Sequence, residues 1–415
     1  MKAKWGLRII LLFGVYAVAM YFYIFYSSNN SIPDVLKGTA ADPSTYMTGR
    51  ELYLSENYSK IRNFLYFIKT PFEWLIYLFV LITGLSKLLE KWSLKSKWTI
   101  VRNALYVLLL SVVTFLMLLP INYVAYFFAK SYGVSTQPFQ QWLTQYAMNF
   151  GLEFITSLIF VSILYFFIRR AKQRWWVYVW AVQIPITLFY AFIQPQIIDP
   201  LYNDFTAIED KQLEEKILAL AEQANIPADH VYEVEMADET TAMNAYVNGI
   251  GSNTRIVLWD TTLQQLSEEE VLFVMAHEMA HYVHKDIYKN LLYYFGITFI
   301  LYWLIAKWMP RIIAKYGTIL NIKRMESLHS LPLYLILSSM LFFATNPLDN
   351  AVSRHHEIQS DNYALTLIED EAAAISSFQA LARAGLSEVN PPLLVKWFRY
   401  THPPLVDRIY NLMEQ

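Results

Sequence analysis

Residues 271–287 read VLFVMAHEMAHYVHKDI, a mostly apolar run interrupted by His277, Glu278, His281 and His284. On a helix, positions four apart share a face, so His277 and His281 can offer imidazole nitrogens to one ion. Two imidazoles suit Zn²⁺, and the glutamate between them can act as general base toward a water held there. This is the HExxH pattern. The plainer alternative is a buried amphipathic helix whose histidines are satisfied by neighbouring carbonyls.

A catalytic zinc takes a third protein ligand and leaves the fourth position to water. The chain has no cysteine, so that ligand must be a histidine or a carboxylate. His284 lies too far along the helix axis to meet the same ion and reads as a neighbour of the site or a surface residue. His230 and His329 read as loop residues. The segment NPLDNAVSRHHEIQSDNYAL, 346–365, reads helical with Glu357 and Asp361 one turn apart. His355 and His356 adjoin Glu357 but point off its face.

These residues need a frame. Of the 415 residues, 55% are hydrophobic and only 16% charged, well below the roughly 25% charged of an average soluble domain. That is the composition of a membrane protein. A net charge of −2 with no dense basic tract gives no sign of a nucleic-acid partner. Seven apolar stretches are long enough to span a bilayer with their flanks, at about 9–26, 72–86, 103–128, 151–168, 176–198, 290–306 and 331–345. The first follows a basic MKAKWGLR, but its run is long and aromatic with no small-residue cleavage site behind it, so it reads as a retained anchor.

Between the spans, 27–70 reads as a polar first loop, 199–288 as the largest polar block and 346–415 as a tail. The block opens on a helix whose apolar face is Leu213, Ile217 and Leu220, ended by Pro227. Two strand-like runs follow, VYEVEM and NAYVNGIGSNTRIVLW, with Gly251-Ser252-Asn253 reading as a hairpin turn. Ser267 and Glu270 then form a capping box that starts the motif helix, expected over 268–287. The expected fold is mainly α: about seven transmembrane helices plus a zincin-like catalytic domain with a small β-hairpin or sheet. Its expected division is an N-terminal membrane domain, 1–198, with five spans, and a metallopeptidase domain, 199–415, holding the spans at about 290–306 and 331–345.

HExxH, the acidic pair in SRHHEIQSDNYAL and THPPLVDRI at 401–409 together resemble the type I CAAX prenyl proteases, a family of integral-membrane zinc endopeptidases. SYGVSTQPF at 131–139, DPLYNDFTAIED at 199–210, NAYVNG at 244–249 and RIVLWDTTL at 255–263 resemble that family's pattern in the same order. The resemblance implies one zinc held by His277, His281 and Glu357, with Glu278 as the base. It also implies that Asp361 orients a ligand histidine through its distal ring N–H, and that His402 and Arg408 lie beside the metal to stabilise the oxyanion. Asn244, Ala245 and Tyr246 would belong to an edge strand along which an extended peptide lies, and the helices would enclose a hydrated chamber faced by groups such as Glu73 and Glu153. The implied partners are the bilayer and a peptide or protein substrate in or at the membrane: prenylated, CAAX-like or damaged. A rival of another class is a catalytically idle chamber protein that binds or translocates amphiphiles around a structural zinc.

The sequence departs from the eukaryotic pattern in a short segment before the motif helix and a tail, NLMEQ, without a dilysine retrieval signal. The expected address is therefore a prokaryotic plasma membrane. With the N-terminus inside, 17 lysines and arginines fall in short cytoplasmic segments against 6 outside. The positive-inside rule then puts the N-terminus in and the catalytic domain out.

Overall fold

In the computed structural model, which describes residues 2–27, 32–202, 204–249 and 254–414, helices dominate. The first half holds α1 (Lys2–Phe22), α2 (Gly49–Ile82), α3 (Leu85–Ser93), α4 (Thr99–Ser131), α5 (Phe139–Ala171) and α6 (Trp175–Ile193). The second half interleaves β1 (Phe205–Ala207), α7 (Lys211–Gln223), β2 (Val231–Val234), β3 (Ala245–Asn248) and β4 (Arg255–Trp259). It continues through α8 (Asp260–Gln265), α9 (Glu268–Val283), α10 (Asp286–Leu320), α11 (Leu331–Ile368), α12 (Glu371–Ala384), α13 (Leu393–Arg399) and α14 (Leu405–Met413).

Among the described residues, 6 stretches are long and apolar enough to cross a membrane, and the fourth, the 53 residues of Phe139–Ala191, contains both α5 and α6. Seven long helices therefore match the seven expected spans. They pack around a core of aromatic and branched side chains, including Tyr106, Leu164, Tyr165, Trp175, Met309 and Tyr334.

Two expectations change. The polar first loop is largely helix, because α2 starts at Gly49 under a capping box of Thr48 and Glu51. Its polar residues face protein: the Ser55 and Ser59 hydroxyls donate to the carbonyls of Ser387 and Leu386. The helix expected at 346–366 is the second half of α11, which runs unbroken for 38 residues from the last span through Glu357.

The sheet order is β1-β2-β4-β3, with β2 and β4 parallel and the other pairs antiparallel. β3 is an edge strand, as the resemblance implied, whereas β1 was not foreseen. The anticipated turn at Gly251-Ser252-Asn253 lies outside the described residues. α7 lays Leu213, Ile217 and Leu220 against a core shared with Val231, Ile256, Leu258, Met275 and Met279. On its other side α9 packs Phe273 and Ala276 against Ala364, Ala374 and Phe378, where the alanines permit close approach of α11 and α12.

Candidate metal centre

The Ser267–Glu270 capping box starts α9 as expected, but the helix stops at Val283 rather than continuing to 287. Lys285 then takes a left-handed conformation, φ 58°, and α10 begins at once with Asp286. That reversal turns the Asp286 carboxylate back toward the helix just left.

His277 and His281 sit one turn apart with ring centroids 5.0 Å apart. Against them lies Glu357 of α11, with Oε2 3.3 Å from His277 Nε2 and Oε1 3.4 Å from His281 Nε2. One ligand atom from each of the three lies within 4.8 Å of the others. Both imidazoles are oriented from behind: His277 Nδ1 lies 2.8 Å from Asp361 Oδ1, and His281 Nδ1 lies 3.0 Å from Asp286 Oδ2. Ser360 Oγ is a further 3.2 Å neighbour of His281 Nδ1. In its neutral form, with Nδ1–H donated outward to a carboxylate, each imidazole leaves its Nε2 lone pair facing the space shared with Glu357.

The donor set fits a zinc ion. Glu357 is 5% exposed, yet its Oε2 has no hydrogen-bond partner among the described residues. A buried carboxylate oxygen left without a partner is costly, and a cation between two imidazole nitrogens would satisfy it. Burial alone would hold the His277 imidazolium down, but the Asp361 and Glu357 carboxylates outweigh it and push its pKa up to about 10. Metal binding here must therefore release protons. Burial pushes the Glu278 carboxyl above its ordinary range, against the opposing charges of His277 and His281.

His402 approaches from the other side, its Nε2 3.5 Å from Glu357 Oε1 and its Nδ1 2.9 Å from the Thr401 hydroxyl. Arg408 also lies beside the centre, its Nη2 3.8 Å from Glu357 Oε2. It is buried, its Nε donates to Asp361 Oδ2 at 2.9 Å, a terminal nitrogen donates to Asp361 Oδ1, and its guanidinium lies over the Phe378 ring.

A cleft of about 380 Å³ opens on this centre, lined by Asn244, Ala245, His277, Glu278, His402 and Arg408 among others. Tyr246, the third residue expected on the substrate strand, lies in β3 opposite Val257. A larger cavity of about 1030 Å³ lies among α2, α4 and α5 and is faced by Glu73 and Glu153, as expected of a chamber.

Sequence reasoning missed Asp286, and it left Arg354, three residues before Glu357, unassigned as a possible partner of a nearby acid. Asp286 carried a signal, a carboxylate directly after the turn that ends the motif helix. Arg354 donates to the carbonyls of Lys396 and Tyr400 and so ties α11 to the segment that carries His402. His284 caps α9 and stacks edge-on against Tyr363, away from the ligands. His356 lies 3.9 Å from Asp286 and joins no ligand set, while His329 is buried against Glu90 rather than looped into solvent.

Comparison with known proteins agrees with this geometry. Residues 207–415 match the model of peptidase family M48, and residues 23–204 match that of the CAAX prenyl protease N-terminal region, five membrane helices. The uncharacterized metalloprotease YhfN of Bacillus subtilis is 42% identical over 98% of this chain and 96% of its own length. CAAX prenyl protease 1 of Saccharomyces cerevisiae is 26% identical over 76% of this chain and 72% of its own. The crystal structure of S. mikatae Ste24p superposes with a TM-score of 0.81 over 99% of this chain and 98% of that one, at 21% identity, which shows a shared fold.

Proposed function

The chain belongs to peptidase family M48 as a multi-pass membrane metalloprotease, and from that premise we propose that it is a zinc endopeptidase cutting peptide bonds of substrates in or at the membrane. The observation that carries this reading is the convergence of His277, His281 and Glu357, whose Oε2 has no hydrogen-bond partner among the described residues, with His277 and Glu278 lining an open cleft.

His277, His281 and Glu357 would hold the ion, which supplies Lewis acidity toward the scissile carbonyl and makes water a nucleophile near neutral pH. Glu278 takes the water proton and returns it to the leaving amine, a task helped by a carboxyl whose pKa sits above its ordinary range. Asp361 and Asp286 hold the two imidazoles in the tautomer that presents Nε2. Arg408 is a positioning residue for Asp361, and His402 is the donor that would meet the oxyanion. The extended substrate lies along β3, where Asn244, Ala245 and Tyr246 give main-chain pairing that tolerates varied side chains. Three protein ligands leave a position open, which favours catalysis over the structural-zinc reading. Prenylated or CAAX-like proteins, as in the name of the yeast relative, and damaged membrane proteins are the substrate classes we assign to the site.

Within this reading 1–198 is the membrane domain and 199–415 the peptidase domain, which includes α10 and α11. We assign the protein to a prokaryotic plasma membrane with the catalytic domain outside. The charge asymmetry behind that topology is 17 lysines and arginines inside against 6 outside, and of the 6, Arg62 and Lys69 line the chamber. A cysteine at exposed Glu222, in a chain without cysteine, should be labelled in intact cells by a membrane-impermeant maleimide; labelling only after lysis reverses the topology.

Glu278→Gln tests the chemistry. It should keep stoichiometric zinc and lose peptidase activity, because it removes the base and spares the ligands. Lost zinc, or retained turnover, removes Glu278 from this role.

A further inference from the structure

Two arginines stand where the catalytic cleft meets the chamber. Arg62 of α2 and Arg399 at the end of α13 each line both spaces. Among the described residues neither has a carboxylate within ion-pair distance. Arg399 donates to Asn63 Oδ1, and Asn63 in turn donates from Nδ2 to Glu388 Oε2 at 3.1 Å, so an amide stands between Arg399 and that acid. That acid is a weak counter-charge, because burial pushes the Glu388 pKa up to about 7. Arg62 lies with its guanidinium 5.5 Å from the Tyr58 ring centroid, and its Nε is buried without a hydrogen-bond partner. Burial, then the charge of Arg62, brings Arg399 down to about 10.

Two like charges lining one cavity repel, a cost that an anion between them would relieve. The guanidinium is also the side chain whose planar fork matches a carboxylate with two parallel hydrogen bonds. The cleft that Arg62 and Arg399 close at one end carries Asn244 and Ala245 of the substrate strand and Glu278 of the motif helix. An anion reaching these arginines from the cleft would therefore be part of whatever lies on that strand.

We propose that Arg62 and Arg399 form a carboxylate-binding site that anchors the peptide in the cleft, through its C-terminal α-carboxylate or an acidic side chain. The proposal rests on the peptidase reading for its occupant. It supplies what strand pairing lacks. Main-chain hydrogen bonds repeat along β3 and leave register free, whereas a fixed anion site measures cleavage from one charged group.

The test uses the full-length zinc protein carrying Glu278→Gln and three fluorescent peptides of one core sequence. One has a free C-terminal acid, one a C-terminal amide, and one an amide plus a single acidic side chain. The acid or the acidic-side-chain peptide should bind at least about tenfold tighter than the plain amide, and the one that does identifies the source of the carboxylate. Arg62→Gln and Arg399→Gln should bring that ratio to about one, while Arg62→Lys and Arg399→Lys keep part of it. If Arg399→Gln unfolds through loss of Asn63, the Arg62 variants decide. Equal affinity for all three peptides overturns the site. Turnover by the unsubstituted enzyme separates the two readings: cleavage of all three with one KM leaves the peptidase and removes the anchor, whereas discrimination in binding without cleavage by that enzyme removes the peptidase and leaves the anchor.

Discussion

Among the described residues, two buried clusters of histidine and carboxylate invite comparison, and one of them is built to hold an ion. In the first, His277, His281 and Glu357 turn unshared atoms toward a common point beside a cleft. In the second, His329 pairs through Nδ1 with Glu90 of α3, while Glu90 Oε1 accepts the Leu328 N–H at 2.8 Å. Around that pair Ser86 bonds the Tyr106 hydroxyl and the His329 carbonyl, and Tyr165 bonds Ser330. Each cluster has an atom without a hydrogen-bond partner, Glu357 Oε2 in one and His329 Nε2 in the other. Residue type and burial therefore do not separate them. Convergence does: the second cluster offers one imidazole and closes its acid on backbone, which makes a clip between α3 and the turn before α11.

The sharpest way to break this contrast is to remove the acid from each. Glu357→Ala should abolish zinc retention and activity and loosen the fold, since the ion would tie α9 to α11. Glu90→Gln should leave zinc and turnover near the wild-type values and lower the thermal midpoint, by about 1–3 kcal/mol of stability for a buried hydrogen-bonded charge. Zinc at wild-type content in Glu357→Ala would place the third ligand elsewhere. A loss of zinc in Glu90→Gln would dissolve the distinction itself.

A smaller effect sharpens the boundary of the first cluster. Asp286 touches His281 as Asp361 touches His277, so Asp286→Asn should weaken zinc affinity by about 10–100-fold, read by chelator competition. An unaltered affinity would make Asp286 a helix cap and nothing more. His402→Phe asks for less of the metal: zinc should stay, and kcat should fall by about 10²-fold if His402 is the oxyanion donor. Reduced thermal stability with an unaltered rate for the folded fraction would assign it to the turn instead.

Helical periods made the two pairs of the first cluster legible, whereas the joining of Glu357 to His277 and His281 came from resemblance. His277 with His281 and Glu357 with Asp361 are each one turn apart, and the Ser267–Glu270 box marked where the motif helix begins. Span number was legible for the same reason, since apolar length measures bilayer thickness. The first half of α2 was not, because hydropathy reads polar residues as facing water. Here they face residues 386–388 and an internal cavity. Asp286, Arg354 and the Arg62–Arg399 pair act across 5 to more than 300 positions of sequence or through backbone carbonyls, and no local pattern encodes such partners. The edge position of β3 came from resemblance; nothing in NAYVNG specifies that β4 would separate it from β2.

The continuity of α11 has a mechanical side. A helix rises about 1.5 Å per residue, so Glu357 stands about 39 Å along the axis from Leu331, with Pro347 between them removing one backbone hydrogen bond from the ladder. Such an element is a lever arm. Pivoting its membrane end by about 5° would sweep the ligand by about 3 Å, against a coordination tolerance of about 0.2 Å. Packing against neighbours, rather than bilayer thickness alone, sets the tilt of such a helix, so the contacts that clamp it, those of Arg354 to the Lys396 and Tyr400 carbonyls among them, work as its bearing.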